Sequence, residues 1–494
     1  MIRPFNSFSL SLENAAELLG GEKQNFSEVT FTGLTHKDSD IQPGDLFLAF
    51  PGAKRHGAEF IESAKAKGAV AVLTDAQGAA MSKSLPTIVV TNVREAGATL
   101  ASHFYRAPIR DMQSIGITGT NGKTTVTTLL YQLFTAVGRE TGLIGTVETR
   151  IGKDIIKSER TTPEAADLQA LAATMRERHM RHLVMEVSSH SLDLKRMVGS
   201  HFSIAGFTNL SQDHLDYHKD MESYFAAKAK LFTHEYAETG FINIDNSYGA
   251  RLFAEAPINS ISLSRTNKDA TWHFTEINPI TSGVEFTIRG RDGILIESKT
   301  PMHGGFNLDN LLMAVAIAYE CGIDPLEMAT IIPTMNGAPG RLESVTLGQN
   351  FTALVDYAHS PDAVVNVLQA VREFTTGRVI AVLGCGGDRD ASKRPLMGSA
   401  LSSNSDVAIY TSDNPRSENP ATILQEMIGS TSLNQPSAVI ADRAEAIAYA
   451  VSLATSGDTV IILGKGHESG QEIAGVVTPF DDRLQLANAI EAKK

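Results

Sequence analysis

The segment SIGITGTNGKTT, Ser114–Thr125, joins a short apolar run to a glycine-rich loop. The run SIGIT predicts a buried strand. After Lys123, apolar side chains recur at helical spacing, at Val126, Leu129, Leu130, Leu133, Phe134 and Val137. The segment is therefore predicted to be a strand, a tight loop and a helix, a geometry that points backbone N–H groups and the positive end of the helix at a phosphate.

This loop is predicted to bind the phosphates of a nucleotide through Gly119, Thr120, Asn121, Gly122, Lys123, Thr124 and Thr125. Lys123 is expected to reach the terminal phosphates, and the Thr124 hydroxyl to coordinate Mg²⁺. The general phosphate-loop pattern has a glycine five residues before Gly122, where this chain has Ile117, so the tight turn is assigned to Gly119. The loop predicts nucleotide binding without identifying the reaction that the nucleotide drives.

Strands, polar turns and amphipathic helices alternate on both sides of the loop, which indicates parallel sheets covered by helices. A chain of 494 residues is long enough for about three domains. We predict an α/β protein with a smaller α/β N-terminal domain at 1–110, a central P-loop-type ATPase domain with a mainly parallel sheet at 111–339, and a Rossmann-like C-terminal domain at 340–494. APIRD, at Ala107–Asp111, is predicted to be a linker.

Four predicted strands in the last third of the chain each end in a polar loop. The strands are TALVDY, RVIAVLG, DVAIYTS and TVIILG, and the loops are AHSPD, CGGDRD, DNPRSE and KGHES. Ligands of open α/β sheets bind beyond the carboxyl ends of the strands. This edge is therefore predicted to be a binding site.

Composition limits the possible partners. The net charge of −13 argues against nucleic acid as the main partner, because phosphate backbones require surplus Lys and Arg. No stretch approaches 18 apolar residues, so no membrane span is expected, and the polar residues in the first 20 positions argue against a signal peptide. Cys321 and Cys385 lie far apart, which favours free thiols in a reducing cytoplasm.

Further motifs follow the phosphate loop in order: TTPE (161–164), MEVSSH (185–190), TNLSQDHLDYH (208–218), YFAAKAKLF (224–232), HGGFNLDN (303–310), GAPGR (337–341), DYAHSPD (356–362), GGDRD, DNPR and GKGHE. With GTNGKTT, these motifs resemble the Mur ligases and their folylpolyglutamate synthetase relatives over nearly the whole chain. The resemblance implies an ATP-dependent amide ligase that forms its bond through an acyl-phosphate.

Within that family, the motifs imply addition of meso-2,6-diaminopimelate to the D-Glu side-chain carboxylate of UDP-N-acetylmuramoyl-L-alanyl-D-glutamate, a step of peptidoglycan precursor synthesis that yields ADP and phosphate. The implied enzyme is a cytoplasmic monomer that uses ATP, Mg²⁺ and a CO₂-derived carbamate. A lysine-adding Mur ligase and a folylpolyglutamate-type ligase are the nearest alternatives, and an ATP-hydrolysing switch protein is the alternative from another class. DNPR argues against the lysine-adding ligase, and the block before the phosphate loop argues against the folylpolyglutamate type. The joint occurrence of Glu186, His214, DNPR and GKGHE argues against the switch protein.

The resemblance also implies catalytic roles for Lys123, Lys228, Glu186 and His214. Glu186 lies inside the apolar run LVMEV (183–187), where a carboxylate has little reason to lie unless it meets a cation. Thr124, Glu186, His214 and Lys228 are the implied metal ligands, the last as a carbamate (N6-carboxylysine). Carbamate formation requires a lysine that loses its proton readily, which a partly desolvated site near a metal favours. Lys230 is expected at the surface.

The remaining implied contacts are transferred residue by residue. For the nucleotide they are Asn307 to the base, Asp356 to the ribose and Arg341 to the γ-phosphate, with His359 in the same loop as Asp356. The muramyl-dipeptide contacts are Thr161, Thr162, Ser188, Leu194 and Arg196, although Leu194 stands where the family has a glutamine. The sequence KDSD before PGDLF differs from the usual D-S-R element, so no uridine contact is transferred.

The incoming amine is assigned to the last block. Its implied contacts are Arg389, Asp413, Asn414, Pro415, Arg416, Gly464 and Glu468. DNPR, at Asp413–Arg416, is the form associated with meso-diaminopimelate, whose distal carboxylate a planar guanidinium binds bidentately. Gly464 and Glu468 are expected to hold the distal ammonium through a backbone carbonyl and a carboxylate.

Overall fold

The computed structural model describes residues 2–52, 55–280, 283–429 and 433–494. The chain divides into two compact units, one formed by Met1–Ser264 with Met313–Ile323 and the other by Arg265–Leu312 with Asp324–Lys494. None of the helices in the four described stretches has both the length and the apolar character needed to span a bilayer.

The first unit begins with a small α/β region that contains a five-stranded sheet and a separate two-stranded sheet. The strands of this region are β1 (Leu10–Ser11), β2 (Glu22–Gln24), β3 (Thr30–Phe31), β4 (Gly33–Thr35), β5 (Asp45–Leu48), β6 (Ala71–Thr74) and β7 (Thr87–Val89). Its helices are α1 (Leu12–Leu19), α2 (Ile61–Ala66), α3 (Ala76–Met81) and α4 (Val93–Phe104). In the five-stranded sheet, whose order is β2-β7-β6-β5-β4, strands β4 to β7 are parallel and β2 pairs antiparallel with β7, while β1 pairs with β3. Ser11, Asp75 and Asn92 cap α1, α3 and α4 by accepting hydrogen bonds from backbone N–H groups in the first turn.

The larger sheet of this unit carries the phosphate loop. Its strands are β8 (Gln113–Thr118), β9 (Thr141–Ile144), β10 (Glu148–Ile151), β11 (Asp154–Lys157), β12 (His182–Glu186), β13 (Phe202–Phe207), β14 (Ala237–Asn243) and β15 (Asn259–Ser264). Its helices are α5 (Lys123–Ala136), α6 (Ala165–Glu177), α7 (Ser189–Asp193), α8 (Leu215–His218), α9 (Met221–Ala229) and α10 (Ser247–Glu255). In the order β11-β10-β9-β12-β8-β13-β14-β15, β8 lies between β12 and β13, with which it is parallel. The residues that follow β12 and β13 therefore flank the loop that follows β8.

The second unit has an antiparallel ribbon and a parallel sheet. The ribbon is β16 (Trp272–Ile280), β17 (Gly283–Arg289) and β18 (Leu295–Thr300). It is followed by α11 (Gly305–Glu320), whose residues from Met313 onward belong to the first unit, and by α12 (Pro325–Ile331). The remaining strands are β19 (Glu343–Ser344), β20 (Thr352–Asp356), β21 (Val379–Cys385), β22 (Val407–Ser412), β23 (Ala438–Val439), β24 (Thr459–Leu463), β25 (Gly470–Ile473) and β26 (Val476–Pro479). The helices are α13 (Pro361–Phe374), α14 (Lys393–Asn404), α15 (Pro420–Ile428), α16 (Arg443–Leu453) and α17 (Asp482–Lys493). The sheet order is β19-β20-β24-β21-β22-β23, with β20 to β24 parallel, while β25 and β26 form a separate hairpin.

Both faces of this parallel sheet are covered. Along β21, Val379, Ala381 and Leu383 belong to one apolar cluster, and Ile380 and Val382 belong to the cluster on the other face. Successive side chains of a strand point to opposite faces, so helices on both sides account for an uninterrupted apolar run.

The predicted α/β class with mostly parallel sheets is confirmed. One local prediction differs from the structure. Residues Pro108–Asp111 of the expected linker form a short 3₁₀ helix, and Ile109 is buried in the same apolar core as Met112 and Phe202. The short segment gives no sign of this packing in its own sequence, because its apolar partner Phe202 lies about 90 positions further along the chain.

Candidate active site

The phosphate loop depends on two glycines in the left-handed region. Gly119 has φ +146° and Gly122 has φ +86°. A Cβ at Gly119 would lie 1.9 Å from the Thr208 hydroxyl, so a larger residue would break the turn. Gly119 therefore provides the tight turn even though Ile117 occupies the usual glycine position.

The segment after β13 forms hydrogen bonds with this loop. The backbone N–H groups of Thr120 and Asn121 donate to the Asn209 backbone carbonyl and side-chain Oδ1, at 2.9 and 3.0 Å. The Thr208 hydroxyl donates to the Asn121 carbonyl at 2.5 Å. No role for Thr208 or Asn209 was predicted from the sequence, although their place at the end of the strand beside β8 was a usable signal.

Two lysines converge on the loop. Lys123 Nζ donates to the carbonyl oxygens of Gly119 and Thr120, each at 2.9 Å, and Lys228 Nζ donates to the Gly119 carbonyl at 2.7 Å. Lys228 is buried on α9, with its Nζ 4.7 Å from the centre of the Tyr224 ring. Burial, followed by the charge of Lys123, holds the pKa of Lys228 well below its ordinary value. A depressed pKa leaves more of the neutral amine, the form that reacts with CO₂.

Glu186, fully buried at the end of β12, is surrounded by donors. Its carboxylate accepts hydrogen bonds from the Thr146 N–H at 2.7 Å, the Thr146 hydroxyl at 2.9 Å and the Thr124 hydroxyl at 3.0 Å. A Cβ at Gly145 would lie 2.6 Å from Glu186 Oε1, so this glycine makes room for the carboxylate. Thr146 was not predicted, although it follows the end of β9, the strand beside β12.

The donor chemistry around Thr124 is suitable for Mg²⁺. Mg²⁺ prefers oxygen ligands and is commonly bound by one or two carboxylates together with substrate phosphates and water. The Thr124 hydroxyl and the Glu186 carboxylate are in direct contact beside the phosphate loop. Within the described stretches there is no group of three or more His, Cys, Asp or Glu side chains that would form an all-protein metal site.

His214 also lies next to the Tyr224 ring. It precedes α8 with φ +52°, and its ring centre is 6.1 Å from that of Tyr224 and 5.0 Å from that of His190. Tyr224 thus contacts both His214 and Lys228. Lys230, in contrast, is exposed and lies 3.4 Å from Asp193.

Three of the predicted dipeptide contacts are connected to the end of β12. The Thr162 hydroxyl donates to the Glu186 carbonyl at 2.9 Å and to the Ser188 hydroxyl at 3.3 Å. The Thr161 and Thr146 hydroxyl oxygens are 3.0 Å apart. Leu194 follows α7 and donates its backbone N–H to the His190 carbonyl, but its side chain has no hydrogen-bonding group.

Glu164, the last residue of TTPE, is a buried acid that was not predicted to have a role. Its carboxylate lies 2.8 Å from Arg94, 2.5 Å from Arg160 and 3.1 Å from Arg196. Burial raises the pKa of Glu164, but the guanidinium groups of Arg196 and Arg94 outweigh burial and hold it below its ordinary value. Glu164 therefore positions Arg196, which also lies 3.4 Å from the Thr162 carbonyl.

We expect Glu164→Gln to lower the free energy of unfolding by about 2 kcal/mol at neutral pH, less than for a fully buried pair, because Arg94 and Arg160 are partly exposed. Because the folded pKa is depressed, this stabilisation is complete above the unfolded pKa of about 4.3 and disappears as the pH falls through the folded pKa. Urea denaturation of both proteins across this range measures the difference. Glu159→Gln, at an exposed partner of Lys37, is the control. An equal loss in the two variants, or a loss that grows as the pH falls, would contradict the role of Glu164.

In the second unit, Asp356 ends β20 and is buried. It accepts hydrogen bonds from the N–H groups of Leu342 and Ala358, both at 2.8 Å, and burial raises its pKa. Arg341 stacks over the Tyr357 ring at 5.1 Å, and His359 Nδ1 lies 2.8 Å from the Tyr357 carbonyl.

The other predicted nucleotide residue, Asn307, is buried near the start of α11. Its side-chain amide donates to the His303 carbonyl at 2.9 Å.

The loops after β22 and β24 meet. Asn414 Nδ2 donates to Glu468 Oε2 at 2.9 Å, while Lys465 Nζ donates to Asn414 Oδ1 at 3.0 Å and lies 3.1 Å from Glu468. Lys465 is fully buried and was not predicted as a site residue. The Gln471 side chain donates to the Asp413 carbonyl at 2.7 Å. DNPR and GKGHE therefore form one hydrogen-bonded cluster.

Arg416 joins this cluster to the loop after β21. Its guanidinium donates to the Gly387 carbonyl at 2.7 Å and its Nε lies 3.7 Å from the Glu472 carboxylate. Arg416 has φ +52°, a backbone conformation that is unusual for residues other than glycine and is frequent at functional sites. A Cβ at Gly387 would lie 1.9 Å from the Pro415 carbonyl, which shows how closely the two loops approach. Arg389 is an exposed residue of the loop after β21.

Comparison with known proteins identifies the family. Residues 30–105 match the Mur ligase family catalytic domain, residues 117–318 the Mur ligase middle domain, and residues 340–466 the Mur ligase glutamate ligase domain. The UDP-N-acetylmuramoyl-L-alanyl-D-glutamate–2,6-diaminopimelate ligase of Streptomyces coelicolor is 48% identical over 497 residues, covering 99% of this chain and 98% of that protein. The ligase of the same name from Corynebacterium efficiens is 41% identical over 503 residues, covering 98% and 95%.

A solved structure of a ligase with that name has a TM-score of 0.72 and 31% identity to this chain, and the match covers 98% of this chain and 99% of that one. The match thus extends over nearly the whole length of both chains. This chain belongs to the Mur ligase family.

Proposed function

We propose that this protein is an ATP-dependent ligase that joins meso-2,6-diaminopimelate to the D-Glu side-chain carboxylate of UDP-N-acetylmuramoyl-L-alanyl-D-glutamate, in peptidoglycan precursor synthesis. The observation that carries the choice of amine is the cluster of Asn414, Arg416 and Glu468 at one edge of the second unit's sheet. The far end of meso-diaminopimelate carries a carboxylate and an ammonium group. The cluster offers the Arg416 guanidinium to the first and the Glu468 carboxylate to the second. The relatives with 48% and 41% identity support the same activity.

The reaction has two steps. The carboxylate oxygen of D-Glu takes the γ-phosphoryl group of ATP, which gives an acyl-phosphate and ADP. The amine nitrogen then attacks the acyl carbon, phosphate leaves with the bonding electrons, and the amine loses a proton as the amide forms. Both steps bring anions or dipoles together, so positioning and positive charge contribute more than a protein nucleophile does.

The phosphate loop supplies part of that charge. Lys123 binds the terminal phosphates, and the backbone N–H groups of the loop and the start of α5 orient them. Thr124 and Glu186 would hold Mg²⁺, with His214 as a further ligand, and a bound ion would supply positive charge against the repulsion between carboxylate and polyphosphate. The contact between Thr124 and Glu186 supports this assignment.

Lys228 is the carbamate site. Its neutral amine nitrogen would bond to the carbon of CO₂ and release one proton, which would give a negatively charged carbamate whose oxygen atoms can bind the metal. Burial and the depressed pKa of Lys228 support the reaction, because only the neutral amine attacks CO₂. The hydrogen bond to Gly119 holds the side chain beside the phosphate loop.

The remaining residues are assigned to the nucleotide, the dipeptide and the amine. Asn307 binds the base, Asp356 the ribose and Arg341 the γ-phosphate, with His359 beside the nucleotide. Thr161, Thr162, Ser188 and Arg196 bind the dipeptide, where Thr162 and Ser188 are already oriented by mutual hydrogen bonds, and Leu194 contributes apolar contact only. Arg389 and Arg416 bind the distal carboxylate of the amine, and Gly464 and Glu468 bind its ammonium, in a pocket shaped by Asp413, Asn414 and Pro415.

We assign these tasks to three domains, 1–110 for the UDP-sugar, 111–339 for ATP and 340–494 for the amino acid. The two cysteines are free, in agreement with a reducing cytoplasm as the working compartment. We propose that the protein acts as a monomer.

We expect Arg416→Ala to raise the KM for meso-diaminopimelate about 100-fold, because a charged bidentate contact contributes roughly 3 kcal/mol. The KM for ATP should change less than about twofold, since the amine is the only substrate to which Arg416 is assigned. Steady-state phosphate release, with the product identified by mass spectrometry, measures both constants. Arg372→Ala, at an exposed arginine paired with Asp406, is the matched control. A meso-diaminopimelate KM that stays within about threefold of the wild-type value would exclude this role.

A further inference from the structure

A fully buried ion pair lies beneath the two loops that carry the amine site. Arg443 is the first residue of α16 and Asp482 the first of α17, and neither side chain is exposed. The guanidinium donates to both carboxylate oxygens, from Nε and from Nη2, each at 2.7 Å. Neither residue belongs to the motifs that identify the site.

The same guanidinium holds the ends of two strands. Nη1 donates to the Ser412 carbonyl at 3.2 Å and Nη2 to the Leu463 carbonyl at 2.8 Å. These are the last residues of β22 and β24, which are not neighbours because β21 lies between them. Strands two positions apart are separated by roughly 10 Å, so the guanidinium spans the end of β21 and connects strands that share no backbone hydrogen bonds.

The residues that follow these strand ends begin the amine-binding loops. Asp413 follows Ser412, and Gly464 follows Leu463. Gly464 has φ +110°, and a Cβ there would lie 2.7 Å from the Asp413 carboxylate, so the loops touch at their first residues. A shift of either strand end would therefore separate Asn414 from Glu468, which are joined by a 2.9 Å hydrogen bond.

Stability alone is a weak explanation for this pair. A buried ion pair can often be replaced by apolar side chains of similar volume without loss of stability, because desolvation offsets the attraction. The planar guanidinium group of arginine has five N–H donors and can bind two carboxylate oxygens and two carbonyl oxygens at once. Lysine cannot reproduce that geometry. The arrangement of Arg443 is suited to fixing relative positions.

We infer that Arg443 and Asp482 are positioning residues for the incoming amine, which hold the ends of β22 and β24 so that the loops beginning at Asp413 and Gly464 form one amino-acid site. The inference rests on the proposed function for the identity of the amine. It concerns residues that contact no substrate and act through the two loops.

The test uses the full-length enzyme with Arg443→Lys and with the apolar double variant Arg443→Met, Asp482→Leu. We expect both to raise the KM for meso-diaminopimelate at least about 10-fold while the KM for ATP and for the UDP-dipeptide stays within about twofold, because the loss acts on the amine loops alone. The control is Arg378→Lys, at a guanidinium that bonds Asp458 at the amino ends of β21 and β24, the opposite ends of the strands from the amine loops. It should change thermal stability at most and leave all three KM values unchanged.

Folded variants with an unchanged amine KM would overturn the inference, as would equal rises in all three KM values. If neither variant folds, the pair is a requirement of the fold and the inference is also overturned. The wild-type enzyme is first assayed with meso-diaminopimelate and with L-lysine. If it uses another amine, the proposed function fails on that point, and the KM test is run with the amine that is accepted.

Discussion

Replacement of Lys228 by alanine is expected to lower kcat about 10³-fold or more, the scale on which loss of a preorganised electrostatic group acts. Lys228 is buried, donates to the Gly119 carbonyl and has a depressed pKa, so its removal takes away both a brace of the phosphate loop and the amine that CO₂ modifies. Wild-type activity should also fall when dissolved CO₂ is removed and recover when bicarbonate is added. Phosphate release in buffers with and without bicarbonate measures both effects.

Lys230→Ala provides the control, because Lys230 lies two residues away on the same segment and is exposed. Its kcat should stay within about twofold of the wild-type value. ¹³C NMR of protein equilibrated with ¹³C-bicarbonate should show a carbamate carbon in the wild-type enzyme and in Lys230→Ala, and none in Lys228→Ala. A carbamate signal that persists in Lys228→Ala, or a Lys228→Ala enzyme with more than about a tenth of wild-type activity, would disprove the assignment.

For Glu186→Gln we also expect a fall in kcat of about 10³-fold, because the amide keeps the shape of the side chain and removes the charge that holds Mg²⁺. Glu186 is fully buried and surrounded by the Thr124 and Thr146 donors, so the substitution should change the local geometry little. The Mg²⁺ concentration needed for half-maximal activity should rise as well. Steady-state assays over a Mg²⁺ series separate this effect from a change in ATP binding.

Glu148→Gln is the matched control for this prediction. Glu148 begins β10 in the same sheet, and its carboxylate pairs with Arg150 at 2.5 Å. It should leave kcat and the Mg²⁺ requirement unchanged. If Glu186→Gln behaves like this control, the carboxylate has no role in metal binding, and the buried charge must be explained by structure alone.

Local sequence predicted much of the fold because the signals were local. Within about 20 residues the sequence contains the apolar run Ser114–Thr118, the glycines of the phosphate loop and the helical spacing of Val126, Leu129 and Leu133. Over such a short range the periodicity of strands and helices can be recognised directly. The parallel strands of the last block were predicted for the same reason, since each is an apolar run that ends in polar residues. The order of strands in each sheet was not predicted from these runs.

The missed residues depend on long-range contacts. Glu164 meets Arg94 across 70 positions, Arg443 meets Asp482 across 39, and Thr208 meets Asn121 across 87. No spacing rule connects such pairs, because the sheet order that brings them together is set by packing of the whole unit. Lys465 was missed for another reason: a lysine in a glycine-rich loop suggests a solvated side chain, whereas this one is buried between Asn414 and Glu468.

The choice of amine is the central claim, and one measurement tests it most directly. Phosphate release is followed with ATP, Mg²⁺ and UDP-N-acetylmuramoyl-L-alanyl-D-glutamate, in the presence of meso-diaminopimelate, L-lysine or no amine. We expect sustained turnover with meso-diaminopimelate only, together with a product whose mass is that of the UDP-tripeptide. Turnover with lysine alone, or equal phosphate release without any amine, would contradict the account.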